Sequence, residues 1–177
     1  MSRASSLPSV TLVLGGARSG KSLYAEGLVE MCAERIYLAT AEAKDAEMAK
    51  RIDDHQKRRG PGWSTIEEPL ALAGALKAHC QRGRPVLVDC LTLWLANIMA
   101  AGLDVDMETR TLTETLKSVA GPVVLVSNEV GQGIVPDNAL ARAYMDHAGR
   151  LNQAVAVAAG RVVLMTAGLP HVLKEQN

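Results

Sequence analysis

Apolar residues fall along this chain in two rhythms. Short continuous runs of aliphatic and β-branched residues occur at 10–14, 35–40, 85–89, 122–127 and 161–166, which is the pattern of strands buried on both faces. Between them the apolar positions recur at helical spacing over 22–29, 45–59, 70–81, 90–100, 107–119 and 138–159. In the second of these Met48, Ile52, His55 and Arg59 share one face, and in the fifth Leu112, Leu116 and Val119 do so. A breaker cluster of Arg58, Arg59, Gly60, Pro61 and Gly62 ends the 45–59 helix, and residues 63–69 read as a short extended piece. Strands alternating with helices predict an α/β fold with a mostly parallel, doubly wound sheet. Residues 1–9 read as an N-terminal extension and 10–177 as one domain without repeats or linker. The residues around His171, after the last predicted strand, are expected to be loose.

Composition narrows the class of partner. The 177 residues are 48% apolar but only 3% aromatic, with no Phe, so the core must be packed from Leu, Val, Ala, Ile and Met. Formal net charge is zero, which removes the basic footprint of a nucleic-acid binder and favours a small-molecule ligand. Three cysteines without a C-x-x-C pair suggest neither a disulfide framework nor a zinc knuckle, and point to the reducing cytosol. The apolar stretch 90–101 is interrupted by Thr92 and Asn97 and is too short to span a bilayer.

The chemistry is organised around Gly15-Gly16-Ala17-Arg18-Ser19-Gly20-Lys21-Ser22, a phosphate-binding loop of the form G-x-x-x-x-G-K-[ST] set between a predicted strand and a predicted helix. Glycines let consecutive backbone N–H groups converge on phosphate oxygens, and the helix start adds partial positive charge. Lys21 is expected to reach the β- and γ-phosphates, and the Ser22 hydroxyl to ligate Mg²⁺. Asp89, closing the strand at 85–89, is either a helix N-cap or the second Mg²⁺-associated carboxylate, and the phosphate loop favours the second role. Glu129, just past a strand end, is either a turn residue or a carboxylate that orients a hydroxyl nucleophile. Asn128-Glu129-Val130-Gly131 is not the Asn-Lys-x-Asp that reads guanine in signalling GTPases. His55 lies among Asp53, Asp54, Lys57, Arg58 and Arg59; it is either a surface side chain or a nucleophile at a phosphate, with the neighbouring cations taking up developing charge. His79 and His147 have only a structural reading, while Thr40, Ala41 and Glu42 fall at a strand end where ligands of open α/β sheets collect.

In order and spacing, the phosphate loop, Tyr37-Leu38-Ala39-Thr40-Ala41, Glu47-Met48-x-x-Arg51-Ile52-x-x-His55, Trp63-x-Thr65-x-Glu67, Asp89-Cys90-Leu91-Thr92, the run from Ser127 through Gly133 to Pro136, and Gly149-Arg150-x-Asn152-Gln153 resemble one family. It is the bifunctional adenosylcobinamide kinase and adenosylcobinamide-phosphate guanylyltransferase family of cobalamin biosynthesis. The resemblance implies a RecA-like P-loop architecture and an oligomer, often a trimer. It also implies two reactions: phosphorylation of adenosylcobinamide by ATP or GTP, and transfer of GMP from GTP onto adenosylcobinamide phosphate through a histidine that maps to His55. Where some relatives carry two adjacent histidines, this chain has Asp54-His55. Nucleotide contacts are implied at Thr40, Ala41 and Glu42, at Gln56, Lys57, Arg58 and Arg59, and at one of Glu67 or Glu68. Two rival readings remain open on the residues alone: a P-loop kinase for another small alcohol, and a non-catalytic nucleotide-switched binding module.

Overall fold

The computed structural model describes residues 7–41, 57 and 59–176. Among the described residues seven strands form one sheet: β1 (Val10–Gly15), β2 (Arg35–Ala39), β3 (Trp63–Glu67), β4 (Val86–Asp89), β5 (Val123–Asn128), β6 (Arg161–Thr166) and β7 (Leu169–Glu175). Their order is β3-β2-β4-β5-β1-β6-β7, and every neighbouring pair is parallel except β6 with β7. The mostly parallel α/β sheet read from the sequence is therefore present, and β1 to β6 all end on the same edge.

Among the described residues the sheet is flanked by α1 (Lys21–Val29), α2 (Leu72–His79), α3 (Leu91–Ala100), α4 (Val105–Ser118) and α5 (Ala139–Ala158). They occupy both faces, unequally. Beneath α1, Ala25 and Val29 pack with Val13, Tyr37, Leu87, Val124 and Val163. On the other face α2, α3, α4 and α5 bury Leu76, Trp94, Leu95, Ile98, Leu112, Leu116, Leu151 and Val155 against Leu12, Ile36, Val88 and Leu125. The two faces take alternate residues of β1, β2, β4, β5 and β6, which is the period of a strand sandwiched between helical layers. Asp104 and Asn138 start α4 and α5 by accepting from the amides of Met107 and Ala141, at 2.9 and 2.7 Å. Of the 45–59 helix, Lys57 and Arg59 are helical and the rest lies outside the described residues.

The expectation of a loose C-terminus is corrected. Residues 169–175 form β7, an antiparallel edge strand on β6. Ala167 and Gly168, with φ of 51° and 80°, make the two-residue turn, a conformation that matches the right-handed twist of the hairpin. Ser19 accepts from the Gly168 amide at 3.0 Å, so this turn braces the phosphate loop. No helix among the described residues is long and apolar enough to cross a membrane.

Leu125 is fully buried on the central strand β5, so Leu125→Ala should lower the unfolding free energy by about 2–5 kcal/mol. Urea denaturation with an unchanged m-value would check this.

Candidate active site

β1 ends at Gly15 between β5 and β6, and the chain then turns through residues 16–20 into α1. Gly15 is required by space: a Cβ there would meet the Met165 carbonyl at 2.8 Å and collide with the Ser19 hydroxyl. Gly16, Ala17 and Arg18 are exposed, Ser19, Gly20 and Ser22 are half-buried, and Lys21 is buried at 8% exposure. The Lys21 ammonium donates to the Gly16 carbonyl at 3.1 Å, which spans the loop and holds a cation inside it. Gly20 starts α1 with no side-chain cap, so the first-turn N–H groups keep their capacity for an anion.

Asp89 ends β4, one strand away from β1 in the sheet order. It is not spent as a cap on α3, whose N-cap residue is Cys90 and makes no side-chain cap bond. Its Oδ2 instead accepts from the Tyr37 hydroxyl at 3.1 Å. Burial, then the adjacent Asp89 charge, push the Tyr37 phenol well above its ordinary range, so Tyr37 stays a donor. Arg59 lies over the Tyr37 ring, its guanidinium carbon 3.4 Å from the centroid, and Trp63 meets the same ring edge-on at 6.2 Å.

A second set of polar residues sits under the strand ends. Thr40 is fully buried, donates to the Cys90 carbonyl at 2.7 Å and accepts from the Cys90 amide at 2.8 Å. Asn128, which pairs with Gly15 in the β1–β5 ladder, donates to the Thr92 hydroxyl at 2.7 Å. Tyr144 of α5 donates to the Thr92 carbonyl at 2.9 Å, and its phenol is pushed up to about 12 by burial. Ser127 donates to Asn152 Oδ1 at 2.6 Å, and Asn97 donates to the Thr40 carbonyl at 2.8 Å. Burial also raises the Cys90 thiol, which keeps it neutral within this set.

The fold thus brings the phosphate loop, Thr40, Ala41, Asp89 and Glu129 to one sheet edge. Glu129 holds its own turn, with the Gly15 carbonyl accepting from its amide at 3.1 Å and its Oε1 accepting from the Gly131 amide at 2.8 Å. Glu67 and Glu68 divide. Glu68 Oε1 accepts from the amides of Leu70 and Ala71 at 3.0 and 2.7 Å, ahead of α2, whereas Glu67 is exposed at the end of β3. Lys57 is exposed and Arg59 half-buried, while Glu42, His55, Gln56 and Arg58 lie outside the described residues. Tyr37, Thr92 and Asn128 were given no role from the sequence. The available signal was that each polar group interrupts or closes an apolar strand or opens a helix.

A phosphate loop between β1 and α1, on a parallel sheet with a strand-end carboxylate one strand away, is the P-loop nucleotide-binding class. Solved structures agree on the fold: an ATPase of a bacterial type III secretion system, 11% identical, has a TM-score of 0.55 over 90% of this chain and 51% of that one. A protein of Pyrococcus horikoshii OT3, 10% identical, also gives 0.55, over 97% of this chain and 88% of that one. Residues 11–173 match the family described as cobinamide kinase / cobinamide phosphate guanyltransferase, and the chain belongs to this family. The bifunctional adenosylcobalamin biosynthesis protein CobP of Pseudomonas aeruginosa is 49% identical, covering 92% of this chain and 96% of that relative. The CobU proteins of Escherichia coli K12 and Salmonella typhimurium are 37% and 38% identical, each over 92% of this chain and 98% of its own.

Two substitutions probe this geometry. Gly15→Ala should lower nucleotide affinity by about tenfold or more, because the loop must shift to admit the methyl group, as read by isothermal titration. Thr40→Val leaves the buried Cys90 amide without its acceptor and should cost about 1–3 kcal/mol of stability in thermal melting.

Proposed function

We propose that this chain phosphorylates the aminopropanol hydroxyl of adenosylcobinamide with ATP or GTP, then transfers GMP from GTP to that phosphate, giving adenosylcobinamide-GDP and pyrophosphate. One observation carries the reading: a phosphate loop with a buried lysine, in a chain whose residues 11–173 match a family described by these two activities. We assign both reactions to a single catalytic domain over 10–177 working in the cytosol.

In the kinase step Lys21 and the loop amides hold the phosphates. The substrate hydroxyl attacks the γ-phosphorus in line as the bond to the leaving diphosphate breaks, and the hydroxyl proton is released to solvent. Glu129 orients that hydroxyl through the carboxylate oxygen not bonded to Gly131. Ser22 and Asp89 supply hard oxygen donors, and no group of three or more His, Cys, Asp or Glu able to cage a metal occurs among the described residues. That donor set fits Mg²⁺, which takes one or two protein ligands and fills its shell with phosphate and water oxygens. When bound, it neutralises charge on the phosphate oxygens.

In the second reaction the neutral imidazole of His55 attacks the α-phosphorus of GTP, and the bond to pyrophosphate breaks. The resulting phosphoramidate is opened when an oxygen of adenosylcobinamide phosphate attacks the same phosphorus, and the P–N bond breaks to regenerate His55. Ala41, Glu42, Gln56, Lys57, Arg58, Arg59 and Glu67 are assigned to nucleotide contact; Thr40, fully buried with its hydroxyl engaged by both peptide groups of Cys90, instead holds the strand end beneath them, and Glu68 is ranked below Glu67 because its carboxylate is engaged by two backbone amides. A homo-oligomer, a trimer in the family resemblance, accommodates a corrinoid too large for a cleft in one small domain. The exposed Leu169, Val172 and Leu173 of β7 support such an assembly.

The test follows label into product. With adenosylcobinamide, γ-labelled ATP and α-labelled GTP, the wild type should yield a product carrying both labels. His55→Ala should keep the γ-label and lose GMP transfer by at least about a thousandfold, while Lys21→Ala should lose both. A wild type that stops at the monophosphate would leave a kinase alone.

A further inference from the structure

Tyr37 is buried in the layer beneath α1 and is the one aromatic among that layer's buried side chains in the described residues. β2 and β4 are parallel neighbours with Tyr37 opposite Leu87 and Ala39 opposite Asp89, so Tyr37 and Asp89 are diagonal neighbours on one face of the sheet. The hydroxyl reaches Asp89 Oδ2 at 3.1 Å. The ring does separate work. The Arg59 guanidinium stacks on it at 3.4 Å, and Trp63, itself under Arg35 at 5.1 Å, closes its edge. A core position that needed only volume would be filled by Leu or Val, as at the neighbouring Leu87 and Val124. One side chain therefore touches both the carboxylate at the end of β4 and the cation just ahead of β3.

We propose that Tyr37 is a positioning residue: its hydroxyl fixes the Asp89 carboxylate for metal binding, while its ring seats Arg59 at a set distance from that carboxylate. This rests on the reading of Asp89 as the metal-side carboxylate. A carboxylate that ligates a metal through one oxygen works best when its other oxygen is held, because the held rotamer loses no freedom on binding. Tyr37 supplies that hold from a buried, well-packed position, and its aromatic ring is rigid enough to transmit the spacing to Arg59.

The test uses the full chain with Mn²⁺ as a spectroscopic stand-in, together with a non-hydrolysable ATP analogue. Paramagnetic resonance reads Mn²⁺ affinity, and titration in EDTA reads metal-free nucleotide affinity. Tyr37→Phe keeps the ring and its stack on Arg59. It should weaken Mn²⁺ binding by about tenfold and leave metal-free nucleotide affinity unchanged. In phosphoryl transfer, the Mg²⁺ concentration for half-maximal rate should rise by the same factor, with kcat at saturating Mg²⁺ close to wild type. Asp89→Asn should weaken Mn²⁺ binding at least as much, and adding Tyr37→Phe to it should change nothing further, because the hydroxyl acts through the carboxylate. Wild-type Mn²⁺ affinity in Tyr37→Phe, with Asp89→Asn impaired, would overturn the proposal and leave the Asp89 reading standing. Additive losses in the double variant would also overturn it, by making Tyr37 a packing residue. Unchanged Mn²⁺ affinity in Asp89→Asn itself would remove the Asp89 reading and the proposal with it.

Discussion

The carboxyl edge of the sheet depends on one close approach, that of Gly15 to β6. With no Cβ, the end of β1 can lie against the Met165 carbonyl and leave room for Ser19 to fold back beside it. The chain then turns at once into α1 and places Lys21 inside the loop. The Gly15 carbonyl accepts from the Glu129 amide, and Asn128 pairs with Gly15 across the ladder, so the loop after β5 is registered on the phosphate loop by main-chain bonds. A side chain at position 15 would disturb all of these together.

From that anchor the site spreads along the strand order. β5 carries Asn128 and leads into Glu129, β4 carries Asp89, and β2 carries Tyr37 and leads into Thr40. The polar residues are tied to one another rather than left to water: Thr40 with both peptide groups of Cys90, Asn128 with Thr92, and Tyr37 with Asp89. Such a network is stable only when every member has a partner, and it holds strand ends in one arrangement. This suits a protein in which a kinase step and a nucleotidyl transfer both place phosphorus atoms against a fixed set of donors. The apolar layers on either side need only supply rigidity.

The strands at 10–14, 35–40, 85–89, 122–127 and 161–166 were legible because central parallel strands are buried on both faces and read as unbroken apolar runs. β7 was not legible. It is an edge strand with Pro170, His171 and Lys174 along it and most of its length exposed, and its turn uses Ala167-Gly168 rather than the usual Asn-Gly. Of the candidate site, the phosphate loop and the place of Asp89 at a strand end were legible, because a G-x-x-x-x-G-K-[ST] pattern and an apolar run closed by an acid mark those positions in the sequence. That Asp89 accepts from Tyr37 rather than capping α3 needed the three-dimensional structure, since an acid at a strand end is compatible with either. The engagement of Glu68 by the amides ahead of α2 depends on a turn that sequence pattern does not resolve. Tyr37 was hidden for a further reason: an aromatic in a buried strand reads as packing until its hydroxyl is seen to have a partner.

The central claim is that one P-loop domain of this family carries a second chemistry on a histidine. It is tested most directly by incubating the full chain with Mg²⁺ and GTP labelled at the α-phosphate, with no corrinoid present, and mapping acid-labile label to peptides. The account predicts stoichiometric label on the peptide containing His55, discharged by adenosylcobinamide phosphate. GTP-binding protein that takes up no such label would contradict it.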